Sequence, residues 1–258
     1  MIELLKDMNN FTLKITEKYF SIFTSYSTPK KYYCGYVTDE EPQYLVQVIP
    51  ADIAFERSKA EREDEKEGIA YRVLSDDYLA TIAVQRKITE ILFDHDVLLF
   101  HGSVVAVDGQ AYLFTAKSGT GKSTHTRLWR EMLGDRAVMV NDDKPFLQMT
   151  ETGVVAWGSP WNGKHRLGSN IGVPLKAICI LERSETNRIE PIRISDALPM
   201  LFQQSQRPQN PVKLAKYMEL VDKLANSVEF YRLGCNMDPE AARISYEAMS
   251  QGRKDANL

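Results

Sequence analysis

A chain of 258 residues, 43% hydrophobic and 26% charged, has the composition of an ordinary globular protein with room for one large domain and a smaller appendage. A formal charge of −3 supplies no field for nucleic acid or an anionic membrane, and three scattered cysteines (Cys34, Cys179, Cys235) argue against a disulfide framework or a Cys-rich metal site. No apolar run approaches the ~20 residues of a membrane helix, and the charged opening "MIELLKDMNN" does not read as a signal peptide, so the expected location is the cytoplasm.

Residues 1–74 read as a small strand-rich region. The runs "FTLKIT", "YFSIFTSY", "KYYCGYVT" and "YLVQVIP" are β-branched and aromatic, and turn residues separate them. The charged stretch "ADIAFERSKAEREDEKEG" follows, as a solvated helix or a flexible crossing. Residues 75–258 read as the main domain. It opens with a helix capped by Ser75, with Leu79, Ile82, Ile88, Ile91 and Leu92 on its apolar positions.

From Val97 the pattern turns to strands. "VLLFHGSVVAVDGQAYLFTA" reads as two strands joined at Asp108-Gly109, a strong hairpin signal. A glycine-rich loop and the helix "STHTRLWREML" come next, ending near Gly134. "AVMVNDD" is a buried strand ending in two carboxylates, "KPFLQMTETGVVAWGSPW" a second hairpin, and "VPLKAICILER" a core strand. Two helices near 194–203 and 212–225, a late strand "VEFYRLGC" and a terminal helix with Asp238 as cap and Pro239 at its first position complete the α/β pattern.

The stretch "AKSGTGKST" carries the clearest chemistry. A strand, a glycine-rich loop and a helix start turn successive backbone N–H groups and the positive end of the helix dipole toward an anion. Ser118, Gly119, Thr120, Gly121, Lys122, Ser123 and Thr124 are the candidate nucleotide contacts. Lys122 suits the β- and γ-phosphates as a point charge, and the Ser123 hydroxyl suits a Mg²⁺ shell. Ala116 occupies the place of the usual first glycine; it fits without strain if it simply ends the strand, and at a cost of roughly 1–2 kcal/mol if its φ is positive.

Phosphoryl transfer also needs a metal-binding carboxylate and a group to take or orient the acceptor's proton. Asp142 and Asp143 stand at the end of the next core strand, where a turning backbone lets one face Mg²⁺ and the other the acceptor. His101 closes the first hairpin strand and is expected near the loop, whereas His125 is expected to face away from the phosphates. In "GSPWNGKHR", the residues Lys164, His165 and Arg166 suit an anionic acceptor or a basic surface hairpin, and Arg207 between the two later helices suits a further phosphate contact.

Taken together, "FHGSVVAVDGQAYLFTAKSGTGKST" followed by "VNDDKPFL" resembles the catalytic domain of HPr kinase/phosphorylase, and more distantly ATP-dependent phosphoenolpyruvate carboxykinase. The resemblance covers roughly 97–181 with good motifs. It implies an α/β fold with a phosphate-binding-loop core, ATP or another NTP with Mg²⁺ as cofactors, and a hydroxyl acceptor on a small molecule or protein. It also implies Asp142 as metal ligand, Asp143 as base in that order or the reverse, His101 and Lys122 in the catalytic set, and a possible homo-oligomer. Two departures stand out. Thr124 replaces the acidic residue that follows the loop serine in HPr kinases, and "AWGSPWNGKHRLGSN" lacks the glutamate of their corresponding segment. The missing glutamate, together with Ala116 in the loop, motivates a second expectation, a nucleotide-binding sensor or pseudokinase that regulates a partner.

Overall fold

In the computed structural model, residues 9–27, 30–208 and 210–252 are described. The first eight residues, on which the signal-peptide reading partly rests, lie outside that set. The chain divides into two compact units, 1–92 and 93–258.

In the first unit the strands β1 (Asn9–Ile15), β2 (Lys18–Thr24), β3 (Val37–Thr38) and β4 (Tyr44–Val48) form a sheet in the order β3-β1-β2-β4. Leu13, Ile15, Phe20, Ile22, Val46 and Val48 alternate along the strands onto one buried face, as a period of two requires. The expected strand "KYYCGYVT" is instead a 3-10 turn, Lys30–Tyr33, followed by the two residues of β3. Tyr33 and Tyr36 are buried there, and Gly35 takes φ +83°, which ends any extended run.

Two helices complete this unit, α1 (Pro50–Glu67) and α2 (Asp76–Phe93). The charged stretch is thus a helix, and part of its charge is internal rather than solvated. Arg86 of α2 bonds Glu56 at 2.6 Å and Asp52 at 2.9 Å, Lys87 reaches Asp52 at 2.8 Å, and Arg72 holds buried Asp64 at 2.6 Å. Burial alone would raise the Asp52 carboxyl, but the bonds from Lys87, the Ile49 N–H and Arg86 outweigh it and hold the group below its usual range. These ties explain why α2, expected to open the second domain, belongs with the first unit. Ser75 caps α2 through its hydroxyl, which accepts from the Tyr78 N–H at 3.2 Å.

The second unit carries strands β5 (Val97–Leu99), β6 (Ser103–Val107), β7 (Gln110–Thr115), β8 (Ala137–Asn141), β9 (Phe146–Thr150), β10 (Gly153–Trp157), β11 (Gly172–Arg183), β12 (Arg188–Pro191) and β13 (Glu229–Cys235). Its helices are α3 (Lys122–Leu133), α4 (Ile194–Gln204), α5 (Leu214–Ser227) and α6 (Pro239–Gln251). Nine strands among the described residues make one mixed sheet: β5-β9-β10-β11-β7-β6-β8 in order, with β13 parallel to β11 and β12 antiparallel to β13. The long β11 also runs parallel to β7.

Both faces of the sheet are covered, and the strand residues sort by parity. Val104, Leu113, Ile178 and Ile180 pack on the side of α4 and α5, whereas Val105, Phe114, Cys179 and Leu181 pack on the side of α3 and α6. This explains the near-continuous apolar runs in the sequence, since a strand buried on both faces has no polar face to alternate with. Each fully buried Leu, Ile or Phe contributes about 1.5–3 kcal/mol.

The hairpin turn between β6 and β7 has Asp108 at φ +52° and Gly109 at φ +79°, the pair of left-handed residues a tight hairpin needs. Upstream, the expected single strand through His101 is two. β5 pairs with β9, whereas β6 pairs with β7 and β8. The chain crosses between them at Gly102, where a Cβ would stand 3.0 Å from the Phe114 carbonyl and from the Leu113 side chain.

Candidate functional site

The end of β7 runs through Ala116 into the loop and directly into α3 at Lys122. Gly119 and Gly121 take φ +75° and +119°, conformations that a side chain would strain. Ala116 does not. Its φ is negative and its methyl group is fully buried among Phe114, Leu128 and Trp129, so it ends the strand and belongs to the core. Lys122 Nζ lies 3.3 Å from the Ala116 carbonyl, which folds the side chain back over the loop. Ser118, Gly119 and Ser123 are exposed, with Thr120 and Thr124 partly so.

Next to the loop, in register with the end of β7, stands His101. Its N–H donates to the Gln204 carbonyl at 2.8 Å, and its own carbonyl accepts from Thr115 Oγ1 at 3.0 Å. His101 Nε2 faces Asp143 Oδ1 at 3.3 Å. The adjacent Gly102 N–H donates to the Asp143 carbonyl at 3.0 Å, so backbone and side chain together fix the pair.

The acidic pair follows β8, and Asn141 shapes the turn that presents it. Asn141 Oδ1 accepts from the N–H groups of Asp143 at 2.8 Å and Lys144 at 2.6 Å, while its Nδ2 donates to Ser159. This local bond bends the chain and separates the two carboxylates. Asp142 is buried, its Oδ1 accepting from Ser103 Oγ at 3.0 Å. Asp143 turns to the more open side with His101. Burial alone would raise the Asp143 carboxyl; the His101 hydrogen bond and the charges of Lys144, His101 and Lys122 outweigh it and hold the group ionised.

Lys122 reports the same proximity from the other side. Burial lowers its pKa, Asp143 and Asp142 act to raise it, and Lys144 lowers it further. The loop lysine and both carboxylates therefore share one electrostatic environment.

The segment after β10 packs back over this strand end. A Cβ on Gly158 would lie 1.9 Å from the Ser169 carbonyl oxygen and 2.8 Å from that of Val140. A Cβ on Gly163 would lie 3.1 Å from Asp142 Oδ2. Trp161 is buried against Phe146, and Trp157 donates to Gln148 at 2.9 Å while its ring covers Gly172. Lys164, His165 and Arg166 follow Gly163 in the chain and are exposed. Arg207 is placed differently. The chain pairs Gln204 with His101 and Gln206 with Leu99, which carries the exposed Arg207 away from His101 along β5.

Sequence reasoning missed the supports of the pair, Ser103, Asn141 and Gln204, because a buried Ser, Asn or Gln has no distinguishing local pattern. It also missed a cavity of about 500 Å³ beside the loop. One wall is Gly119–Gly121 and the other comes from Arg183 and Cys235–Met237, at the ends of the parallel strands β11 and β13. His125, expected to face away from the phosphates, lines this cavity with Leu128. Burial pushes its imidazole down to about 4, so the ring is neutral at physiological pH.

Among the described residues no group of three or more His, Cys, Asp or Glu side chains is placed to hold a metal ion. The available donors near the loop, the Ser123 hydroxyl and a carboxylate, are hard oxygens. They fit Mg²⁺ of the kind carried on substrate phosphates with one or two protein ligands.

A family model described as "ScmC: SynChlorMet cassette protein ScmC" matches residues 74–238, more than half of the chain. The chain belongs to that family. The match spans the loop, the acidic pair, the segment after β10 and the walls of the cavity. No curated protein matches the chain. Among solved structures there is a weak likeness to one titled "Structure of the Hpr(Ser) kinase/phosphatase from Coxiella burnetii". It is 13% identical and has a TM-score of 0.34, over 60% of this chain and 99% of that one. No described helix is long and apolar enough to cross a membrane.

Proposed function

We propose that the chain is a phosphotransferase that binds ATP, or another nucleoside triphosphate, with Mg²⁺ at the loop 116–124 and moves the γ-phosphoryl group to a hydroxyl acceptor. The observation that carries this reading is the convergence of Lys122, Asp142, Asp143 and His101 beside a loop whose two inner glycines adopt left-handed conformations. A glycine turn that merely linked a strand to a helix would need no carboxylate–histidine pair and no lysine beside it.

The roles follow from placement. Backbone N–H groups of 118–122 and the start of α3 hold the phosphates, and Lys122 neutralises charge that spreads over the γ-phosphoryl oxygens. Ser123 and Asp142 are the residues that would hold Mg²⁺, which would supply neutralisation of phosphate charge when bound. Asp143, ionised and on the open side, accepts the proton of the acceptor hydroxyl. The acceptor oxygen forms a bond to the γ-phosphorus as the bond to the β,γ-bridging oxygen breaks, and the nucleoside diphosphate leaves. His101 orients the Asp143 carboxylate through the 3.3 Å contact. Lys164, His165 and Arg166, exposed and next in the chain after Gly163, are the cations assigned to an anionic acceptor.

A sensor that binds nucleotide without turning it over is the second reading. Asp142 favours it, because the carboxylate is buried and already engaged by Ser103. One assay separates the two. Protein, Mg²⁺ and ATP labelled at the γ-phosphate are incubated with metabolite and protein extracts, and the expected result is a labelled product. Intact ATP binding with no labelled product rejects phosphotransfer and leaves the sensor.

A further inference from the structure

The loop has two flanks, and the order of the sheet gives them different charges. β7 leads into the loop, with β6 and β8 on one side of it and β11 and β13 on the other. His101, Asp142 and Asp143 belong to the first flank. The second flank carries a cation. Ile180 of β11 pairs with Thr115 of β7, so Arg183, three residues on, stands beyond the end of β7 on the side of the loop. Cys179 and Leu181 pack on the face that carries α3, and the alternation of a strand puts Arg183 on that face as well.

Arg183 reaches the loop itself. Its Nη2 donates to the Gly119 carbonyl at 2.6 Å, and the residue lines the cavity of about 500 Å³ that starts at Gly119–Gly121. Among the described residues no carboxylate pairs with its guanidinium. Its neighbour Glu182 belongs to the opposite face and pairs with Arg232 at 3.2 Å. The backbone that presents Arg183 is held in place. The Ser184 N–H donates to the Cys235 carbonyl at 3.0 Å, and Asn236 Nδ2 donates to that of Glu185 at 3.0 Å. A guanidinium carries five N–H donors in a rigid fork. One is committed to Gly119, and the exposed remainder of the fork stands beside the loop with its charge uncompensated.

We infer that Arg183 is a second phosphate-binding cation, contacting the α-phosphate of a nucleotide whose γ-phosphate lies at Lys122 and Asp143. This rests on the phosphate-binding reading of the loop. The direction of the phosphate chain follows from the two flanks: the transferred group must meet the acidic pair, so the other end runs toward β11. The α-phosphate is unchanged by the transfer, so Arg183 strengthens the binding of the triphosphate and the diphosphate alike.

Calorimetry on the full chain, with Mg²⁺ present, compares ATP, ADP, the two α-phosphorothioate diastereomers of ATP and inorganic tripolyphosphate. The proteins are the unsubstituted chain, Arg183→Met, Arg183→Lys and Lys122→Met. Arg183→Met is expected to weaken ATP and ADP by a common factor of about ten, the range of a charge-assisted hydrogen bond. Arg183→Lys restores part of that loss. Sulfur accepts hydrogen bonds poorly, so one diastereomer binds the unsubstituted protein about threefold more weakly than ATP, and that penalty disappears in Arg183→Met. A residue that only braced the loop would leave the sulfur penalty unchanged when substituted, and that result overturns the inference. ATP affinity indifferent to Arg183→Met overturns it too, as does a loss for ATP without one for ADP. Arg183 is exposed, so neither substitution opens the core. Failure of the phosphate reading is distinct and takes the inference with it: neither ATP nor tripolyphosphate binds the unsubstituted protein, or Lys122→Met leaves both affinities unchanged.

Discussion

His101 and Asp143 face each other across 3.3 Å although they lie on different strand connections, one between β5 and β6 and the other after β8. Two backbone contacts make the meeting unavoidable. The Gly102 N–H binds the Asp143 carbonyl, and the Phe100 N–H binds that of Pro145. The pair is therefore a product of chain crossing at a strand end, which is where α/β sheets commonly place their chemistry.

Asp143→Asn keeps the size of the side chain and removes its charge. If Asp143 takes the acceptor's proton, phosphoryl transfer falls by a factor on the order of 10²–10⁴, while Mg-nucleotide affinity changes by no more than a few-fold. Product formation and calorimetry on the same sample check this. Unimpaired turnover removes Asp143 from the role of base.

Asn141→Ala should cost more than its size suggests. The substitution strips the acceptor from the N–H groups of Asp143 and Lys144 and the donor to Ser159, all around a fully buried side chain. Leaving such groups unsatisfied costs about 2–4 kcal/mol in total, read as a lower denaturation midpoint. Activity should fall beyond what the lost stability explains, because the turn that presents Asp143 loosens.

Ala116→Gly restores the common loop pattern and should harm the protein. It deletes a buried methyl group and adds freedom to the unfolded chain, a loss of about 1–2 kcal/mol. No gain in nucleotide affinity is expected, since Ala116 already has a negative φ. A tighter-binding glycine variant would show that the alanine strains the loop.

His125 gives the fold a pH dependence of definite sign. Its folded pKa of about 4 lies below the ordinary 6.5, so the unfolded chain binds the proton first. The contribution is fully present above pH 6.5 and disappears as pH falls toward 4, up to about 3 kcal/mol. Subtracting the stability profile of His125→Phe from that of the unsubstituted protein between pH 4 and 7 isolates the effect. A flat difference contradicts the buried, neutral ring.

Local chemistry made much of this chain legible. The Asp108-Gly109 turn, the Ser75 cap, the apolar runs of β7, β8 and β11 and the passage from β7 into α3 all follow from residues within a few positions of one another. "KYYCGYVT" was misleading, because Tyr33 and Tyr36 are buried by a turn rather than by a strand. The charges of α1 misled for a related reason: Arg86, which neutralises Asp52 and Glu56, lies 30 residues or more away in sequence.

The sequence alone determined the order of elements, the glycine positions that free the loop backbone, and which residue types stand at the strand ends. Only the tertiary structure decided that Asp142 is buried against Ser103 while Asp143 turns to His101, and that His125 lines a cavity bordered by the end of β13. The physical reason is that adjacent residues share a local code but acquire their solvation, charge partners and hydrogen-bond partners from neighbours as many as 120 positions away, as Ser245 is from His125.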